Sequence, residues 1–212
     1  MKRRSKVAIT WSPEFAYVIG VITTDGNLSS DGRHINVTSK DREMVDTVKR
    51  LLRLDNKIGR KARGYSKEKK YFVLQFGDIN FCEFLVSIGL MPAKSKKLKR
   101  VLVPLKFFAD FLRGCIDGDG NISISRHPES KFEQLRVRLV SASPDFLIWI
   151  LAVIRKELAV NGGYIYSQAR KSVSTLAFGK TDSMKIIKGM YYKKSLPTLK
   201  RKRVLAMKWG GW

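Results

Sequence analysis

The chain carries one short segment twice, and this duplication limits its fold more than any other feature. Val18-Ile-Gly-Val-Ile-Thr-Thr-Asp-Gly-Asn-Leu28 aligns with Leu112-Arg-Gly-Cys-Ile-Asp-Gly-Asp-Gly-Asn-Ile122. Gly20 falls on Gly114, Ile22 on Ile116, and Asp25-Gly-Asn27 on Asp119-Gly-Asn121. A second echo, Leu74-Gln-Phe-Gly77 and Leu176-Ala-Phe-Gly179, follows each aspartate after 52 (77 − 25) and 60 (179 − 119) residues. Two similarities in the same order mark two copies of one folding unit. A chain of 212 residues has room to bury a core in both.

The order of elements repeats as well. Ser12 as N-cap and Pro13 in the first turn open a helix predicted over 13–24. A hairpin follows over 28–39, then a helix over 41–54 with Met44, Val45, Val48, Leu51 and Leu52 on one face. A second hairpin over 57–76, turning at 64–68, and a short helix over 80–90 complete the first copy. The second copy gives a helix over 105–117, a hairpin over 121–142 lengthened around 127–131, and a helix over 144–158. A hairpin over 163–179, a helix over 182–192 and a last helix over 201–209 follow. Each copy thus reads α-β-β-α-β-β-α. The fold class is α+β, with repeats over 1–92 and 105–212 joined by a basic linker over 93–104.

Charge narrows the choice of partner. Forty-two Lys and Arg face 18 Asp and Glu, for a net charge of +24 spread along the whole chain. Self-repulsion of that size destabilises a compact protein, and a polyanion explains it best, nucleic acid first. Cys82 and Cys115 lie in apolar runs and read as buried thiols, and His34 and His127 are the only histidines. A disulfide scaffold, a cysteine zinc site and a histidine-rich metal nuclease are therefore excluded as readings. No signal peptide, membrane span or basic amphipathic helix is visible, so a soluble intracellular chain is expected. No nucleotide loop, Ser-His-Asp order or paired cysteine nucleophile is present either.

The two matching helices end in Asp-Gly and carry a glycine midway. Glycine inside a helix costs about 1 kcal/mol relative to alanine, and close approach of two backbones is a return on that cost. If the helices cross at Gly20 and Gly114, Asp25 and Asp119 meet at their tips. Two adjacent carboxylates repel unless one is protonated or a cation lies between them. Mg²⁺ prefers such oxygen ligands, and cations there could activate water and stabilise a leaving oxygen. Taken singly, each Asp-Gly is an ordinary helix end. The duplication on a basic chain favours the metal reading.

Val18-Ile-Gly-Val-Ile-Thr-Thr-Asp-Gly26 and Leu112-Arg-Gly-Cys-Ile-Asp-Gly-Asp-Gly120 resemble the nonapeptide of LAGLIDADG homing endonucleases, the second more closely. Thr23 stands where the motif has its earlier acidic residue, whereas the later one, the metal ligand of the family, is kept as Asp25 and Asp119. The resemblance implies a monomeric two-repeat enzyme using Mg²⁺, with Mn²⁺ as a substitute and Ca²⁺ supporting binding without efficient cleavage. It implies cutting of both strands of a long double-stranded DNA site across the minor groove, with short 3′ overhangs, by a protein of a mobile intron or intein. The carbonyls of Thr24 and Gly118 become further metal ligands. A basic residue near the scissile phosphate is also implied. Lys94 and Lys200 are chosen for it, with Lys96, Lys194 and Lys202 competing. Ser39 and Ser141 fall where the family places a polar residue that orients water.

The family's eight strands form a saddle in the major groove, and alternation in this chain supports that independently. Leu135, Val137 and Leu139 would face a core, leaving Gln134, Arg136 and Arg138 outward. Asn121, Ser123 and Ser125 form a second outward set, and Tyr166, Gln168 and Arg170 a third. In the first copy the outward residues are Asn36 and Thr38, Tyr71 and Gln75, and Lys57, Lys61 and Arg63. Arg and Gln can make bidentate contacts to guanine and adenine edges, although polar alternation is also what a solvated sheet face shows. Two other functions fit the same motifs: an intron RNA-splicing maturase, and a DNA-binding regulator that keeps the scaffold without the reaction.

Overall fold

The computed structural model describes residues 5–62, 68–126, 132–167 and 172–210. Helix α1 (Pro13–Asp25) opens where expected, with the Ser12 hydroxyl accepting from the Phe15 amide at 3.1 Å. It runs one residue past the predicted end, so Asp25 is its last helical residue. Strands β1 (Gly26–Leu28) and β2 (His34–Ser39) follow at once, then α2 (Arg42–Leu51), β3 (Ile58–Lys61), β4 (Tyr71–Gly77) and α3 (Ile79–Ser87). The second repeat has the same order: α4 (Phe108–Asp119), β5 (Gly120–Arg126), β6 (Glu133–Ser141), α5 (Pro144–Glu157), β7 (Tyr164–Ser167), β8 (Ser174–Phe178) and α6 (Lys180–Met190). A last helix, α7 (Lys200–Gly210), closes the chain's described part.

Helix α4 departs most from the periodicity. Residues 105–107 form a separate 3₁₀ turn after Pro104, and the α-helix continues through Asp119, two residues beyond its expected end. Both helices stop in the same way. The Gly26 amide donates to the Ile22 carbonyl and the Gly120 amide to the Ile116 carbonyl, after which the chain is extended. A Cβ on Gly26 would lie 2.5 Å from the Ile22 oxygen, and one on Gly120 would lie 2.5 Å from the Ile116 Cα. Glycine therefore permits a direct turn from helix into strand.

The strands form two antiparallel four-stranded sheets, ordered β1-β2-β4-β3 and β5-β6-β8-β7. Register follows alternation: Ile35 opposes Phe76 and Val37 opposes Leu74 on the buried face, while Asn36 opposes Gln75 on the other. In the second sheet Val137 opposes Ile122 and Phe178 in the core, and Arg138 opposes Asn121. One continuous apolar core runs under both sheets and through the α1–α4 pair. The segment read as a linker is also packed, because Lys94, Leu98 and Val101 are all buried. Among the described residues, no helix is long and apolar enough to cross a membrane.

Candidate active site

The site is built by the contact of α1 with α4. A Cβ on Gly20 would lie 2.2 Å from the Phe111 carbonyl oxygen, and one on Gly114 would lie 2.1 Å from that of Tyr17. The two glycines are so close that each such Cβ would be 3.0 Å from the other's Cα. No side chain fits at this crossing, and the helix tips beyond it converge. A Cβ on Gly118 would lie 2.0 Å from the Thr24 hydroxyl and 3.0 Å from the Asp25 Oδ2.

Asp25 and Asp119 line one cavity of about 650 Å³, together with Thr24, Asn27, Asn36, Thr38, Lys61, Lys94 and Ser141. Residues expected to touch metal and residues expected to touch DNA thus share one wall. The Gly118 carbonyl, also expected as a ligand, belongs to a residue outside that lining. Among the described residues, no three His, Cys, Asp or Glu side chains converge anywhere. A divalent ion at the helix tips would therefore be held by two carboxylates, backbone carbonyls and water. That donor set fits a hard cation such as Mg²⁺.

Lys94, one of the two lysines chosen, lines this cavity. It is 6% exposed, follows Ala93 in a left-handed conformation (φ 52°), and donates to the Gly26 carbonyl beside Asp25. Burial pulls its pKa down to about 8, against the opposing pull of Asp119 and Asp25. Lys200 does not take the matching place. It is exposed at the start of α7, where its amide donates to Glu43. Lys202, weighed only as a competitor, is 2% exposed, and its ammonium donates to the carbonyls of Ile116, Asp117 (2.8 Å) and Gly120 (2.8 Å). Gly120 is the repeat counterpart of Gly26, so the two lysines make the same bond in the two halves. Burial lowers Lys202 to about 8 as well, with Asp117 pulling it back up.

That Lys202 turns inward and Lys200 outward has a cause in helix phase. Leu199, Lys202 and Ala206 are spaced three and four apart and are all buried, which puts Lys202 on the inner face of α7. A run of alternating Lys and Arg hides that phase unless Leu199 and Ala206 are read with it. Ser39 and Ser141 are equivalent as expected. Their hydroxyls accept from the amides of Asp41 and Ser143, each at 3.1 Å, in the turns before α2 and α5.

Among the described residues, the outward faces are those predicted. Lys61 opposes Tyr71, Ser123 opposes Arg136 and Ser125 opposes Gln134. Arg138 donates to the Ser123 hydroxyl at 3.0 Å, so these two lie against each other on the face. Lys40 lies over the Tyr71 ring at 5.4 Å, and Tyr166 stacks on Tyr164 at 5.6 Å. Lys57 is exposed just before β3. Arg63, Gln168 and Arg170 lie outside the described residues.

Residues 12–89 match the family model of the LAGLIDADG-like domain. The fold matches full-length DUF199/WhiA from Thermatoga maritima with a TM-score of 0.57 at 13% identity, covering 97% of this chain and 67% of that one. It matches the I-LtrWI LAGLIDADG homing endonuclease bound to target DNA with a TM-score of 0.54 at 14% identity, covering 92% and 90%. It matches I-DmoI in complex with DNA and Mn with a TM-score of 0.56 at 16% identity, covering 85% and 97%. No curated protein is significantly similar in sequence. The resemblance read from the two nonapeptides is borne out, and the chain has the LAGLIDADG fold.

Proposed function

We propose that this chain is a site-specific endonuclease for double-stranded DNA, acting as a monomer with Mg²⁺ as its cofactor. One observation supports this reading above the rest: a carboxylate from each repeat, Asp25 and Asp119, lines one cavity with the buried cation Lys94. A protein that only bound DNA would have no need of two acidic groups beneath a basic, DNA-facing surface.

Asp25 and Asp119 would hold the divalent ions, with the Thr24 and Gly118 carbonyls completing the set. When bound, such ions lower the pKa of water and offset charge on the leaving oxygen. Lys94 and Lys202 hold positive charge at the helix tips, where they draw the scissile phosphate and balance its developing charge. Helices α1 and α4, locked at Gly20 and Gly114, fix the carboxylates before DNA arrives, so little ordering remains to be done at the reaction. The outward residues, from Asn36, Thr38, Tyr71 and Gln75 to Gln134, Arg136 and Arg138, would read base edges in the major groove. Two similar but unequal sheets suit a long, imperfectly palindromic site, cut on both strands with short 3′ overhangs.

The net charge of +24 by itself suits a second reading equally, a DNA-binding protein that keeps the scaffold without cleavage. Incubation of the chain with a randomised duplex library and Mg²⁺, followed by mapping of ends, separates the two. Staggered double-strand cuts at one long site, lost in Asp25→Asn and Asp119→Asn, support the nuclease. Enrichment of one duplex sequence without cutting, and unaffected by EDTA, supports the binding protein.

A further inference from the structure

Helix α4 carries Asp110, Arg113 and Asp117 at spacings of three and four, and therefore on one face. All three are buried, with Arg113 at 0% exposure and both aspartates at 1%. Their counterparts in α1 are Ala16, Ile19 and Thr23, so this polar face exists in the second repeat alone. Buried charge is costly unless it is paired and hydrogen-bonded.

Their partners show what is fixed. The Arg113 guanidinium donates to the Met190 carbonyl at 2.6 Å, the Pro197 carbonyl at 2.9 Å and Asp110 at 2.7 Å. The Tyr192 hydroxyl donates to both oxygens of Asp110, at 3.1 and 3.2 Å. Asp117 accepts from the Leu199 amide at 2.8 Å and from the Tyr17 hydroxyl at 3.0 Å. Apart from the bond to Tyr17 and the internal Asp110–Arg113 pair, every one of these contacts ends in residues 190–199. Beyond Met190, the last residue of α6, that segment has no regular structure and leads straight into α7. Three residues past its end, Lys202 reaches back to the tip of α4.

We propose that Arg113, with Asp110 and Asp117, is a positioning residue that anchors segment 190–199 and so delivers Lys202 to the tip of α4. The catalytic consequence rests on the nuclease reading, whereas the anchoring does not. Lys94 needs no such device, because the chain beyond it is held by the Ser143 hydroxyl donating to the Leu98 carbonyl.

The test is amine labelling of the full chain, free of metal and DNA, with limiting acetic anhydride and peptide mass spectrometry. In Arg113→Met, the Lys202 labelling rate should rise at least ~10-fold as the segment opens locally, while Lys94 stays within about 2-fold. An unchanged Lys202, or an equal rise at Lys94, overturns the proposal. Tyr192→Phe removes one half-exposed hydroxyl from the same network and should raise Lys202 labelling about 3-fold, the scale of one lost hydrogen bond. It decides the matter if Arg113→Met does not fold, and no rise overturns the proposal. In single-turnover assays on a cleavable duplex, Arg113→Met should cut at least ~10-fold more slowly with Kd within about 3-fold, as expected of a misplaced group. Undiminished cutting overturns the delivery of Lys202 to the reaction. A parent chain that cuts no duplex sinks the nuclease reading, while the labelling rates still decide whether the anchor exists.

Discussion

Alanine at position 114 tests the helix crossing on which the site depends. Its methyl would lie 2.1 Å from the Tyr17 carbonyl oxygen and 3.0 Å from both the Gly20 Cα and the Val21 amide nitrogen. Ordinary contacts to carbon fall near 3.5 Å, so α1 and α4 must part by more than ~1 Å. Overpacking of this kind costs about 1–3 kcal/mol. The obstacles are backbone atoms in a helix and cannot swing aside, so the upper end applies. Against that, alanine gains about 1 kcal/mol of helix propensity over glycine. The net loss is about 2 kcal/mol, which lowers Tm by roughly 4–8 °C for a chain of this size. Calorimetry of Gly114→Ala beside Gly59→Ala measures it. A Cβ at Gly59 meets only Val73, its side chain at 3.4 Å and its carbonyl oxygen at 3.9 Å, both ordinary contacts, so that variant should melt with the parent. Separation by 1 Å should also slow duplex cleavage by ~100-fold. A Gly114→Ala protein that melts at or above the parent temperature refutes the close crossing and with it the convergence of the aspartates.

Three further outcomes are expected. Lys202→Met should reduce cleavage at least ~10-fold with binding retained, whereas Lys200→Met should only lower the salt slope of binding by about 1; gel shifts and single-turnover cutting at several KCl concentrations distinguish them. Burial lowers Lys94 and Lys202 from 10.5 to about 8 in the folded chain. The unfolded chain therefore binds more protons between those values, and stability of the metal-free protein should rise across that window by up to about 3 kcal/mol per lysine. Urea melts at pH 7.5 and 10 should show the rise, and the Lys94→Met, Lys202→Met double variant should show much less of it. Ca²⁺ in place of Mg²⁺ should support duplex binding but little cutting, and brisk cleavage in Ca²⁺ counts against the proposed metal chemistry.

The parts of the fold legible in the sequence are those where one local rule decided the outcome. Alternation in Gln134-Leu-Arg-Val-Arg-Leu139 set the faces of β6, and Ser12-Pro13 set the start of α1. The glycines at 20 and 114 foretold a close crossing because nothing else offsets their cost inside a helix. What escaped depended on contacts distant in sequence. The inward turn of Lys202 is fixed by carbonyls more than 80 residues away, and the basic run around it shows no periodicity by composition. Arg113 stood only as one member of an aligned motif, although its position three after Asp110 and four before Asp117 marks a polar stripe. The stretch 93–104 read as a basic linker because Lys94, Lys96, Lys97, Lys99 and Arg100 crowd its first eight residues, yet Leu98 and Val101 tie it into the core.

Each half also holds the other half's lysine in place. Ser143 of the second repeat fixes the chain just after Lys94, and Asp41 of the first pairs with Arg201 at 2.8 Å, next to Lys202. Shuffling halves between relatives to build new specificities would thus sever two crossed tethers as well as the glycine seam. A hybrid joined at residue 104 inherits a foreign clasp on both sides. Grafting position 41 with the tail it grips, and position 143 with the stretch it grips, is what would let such a hybrid assemble in register.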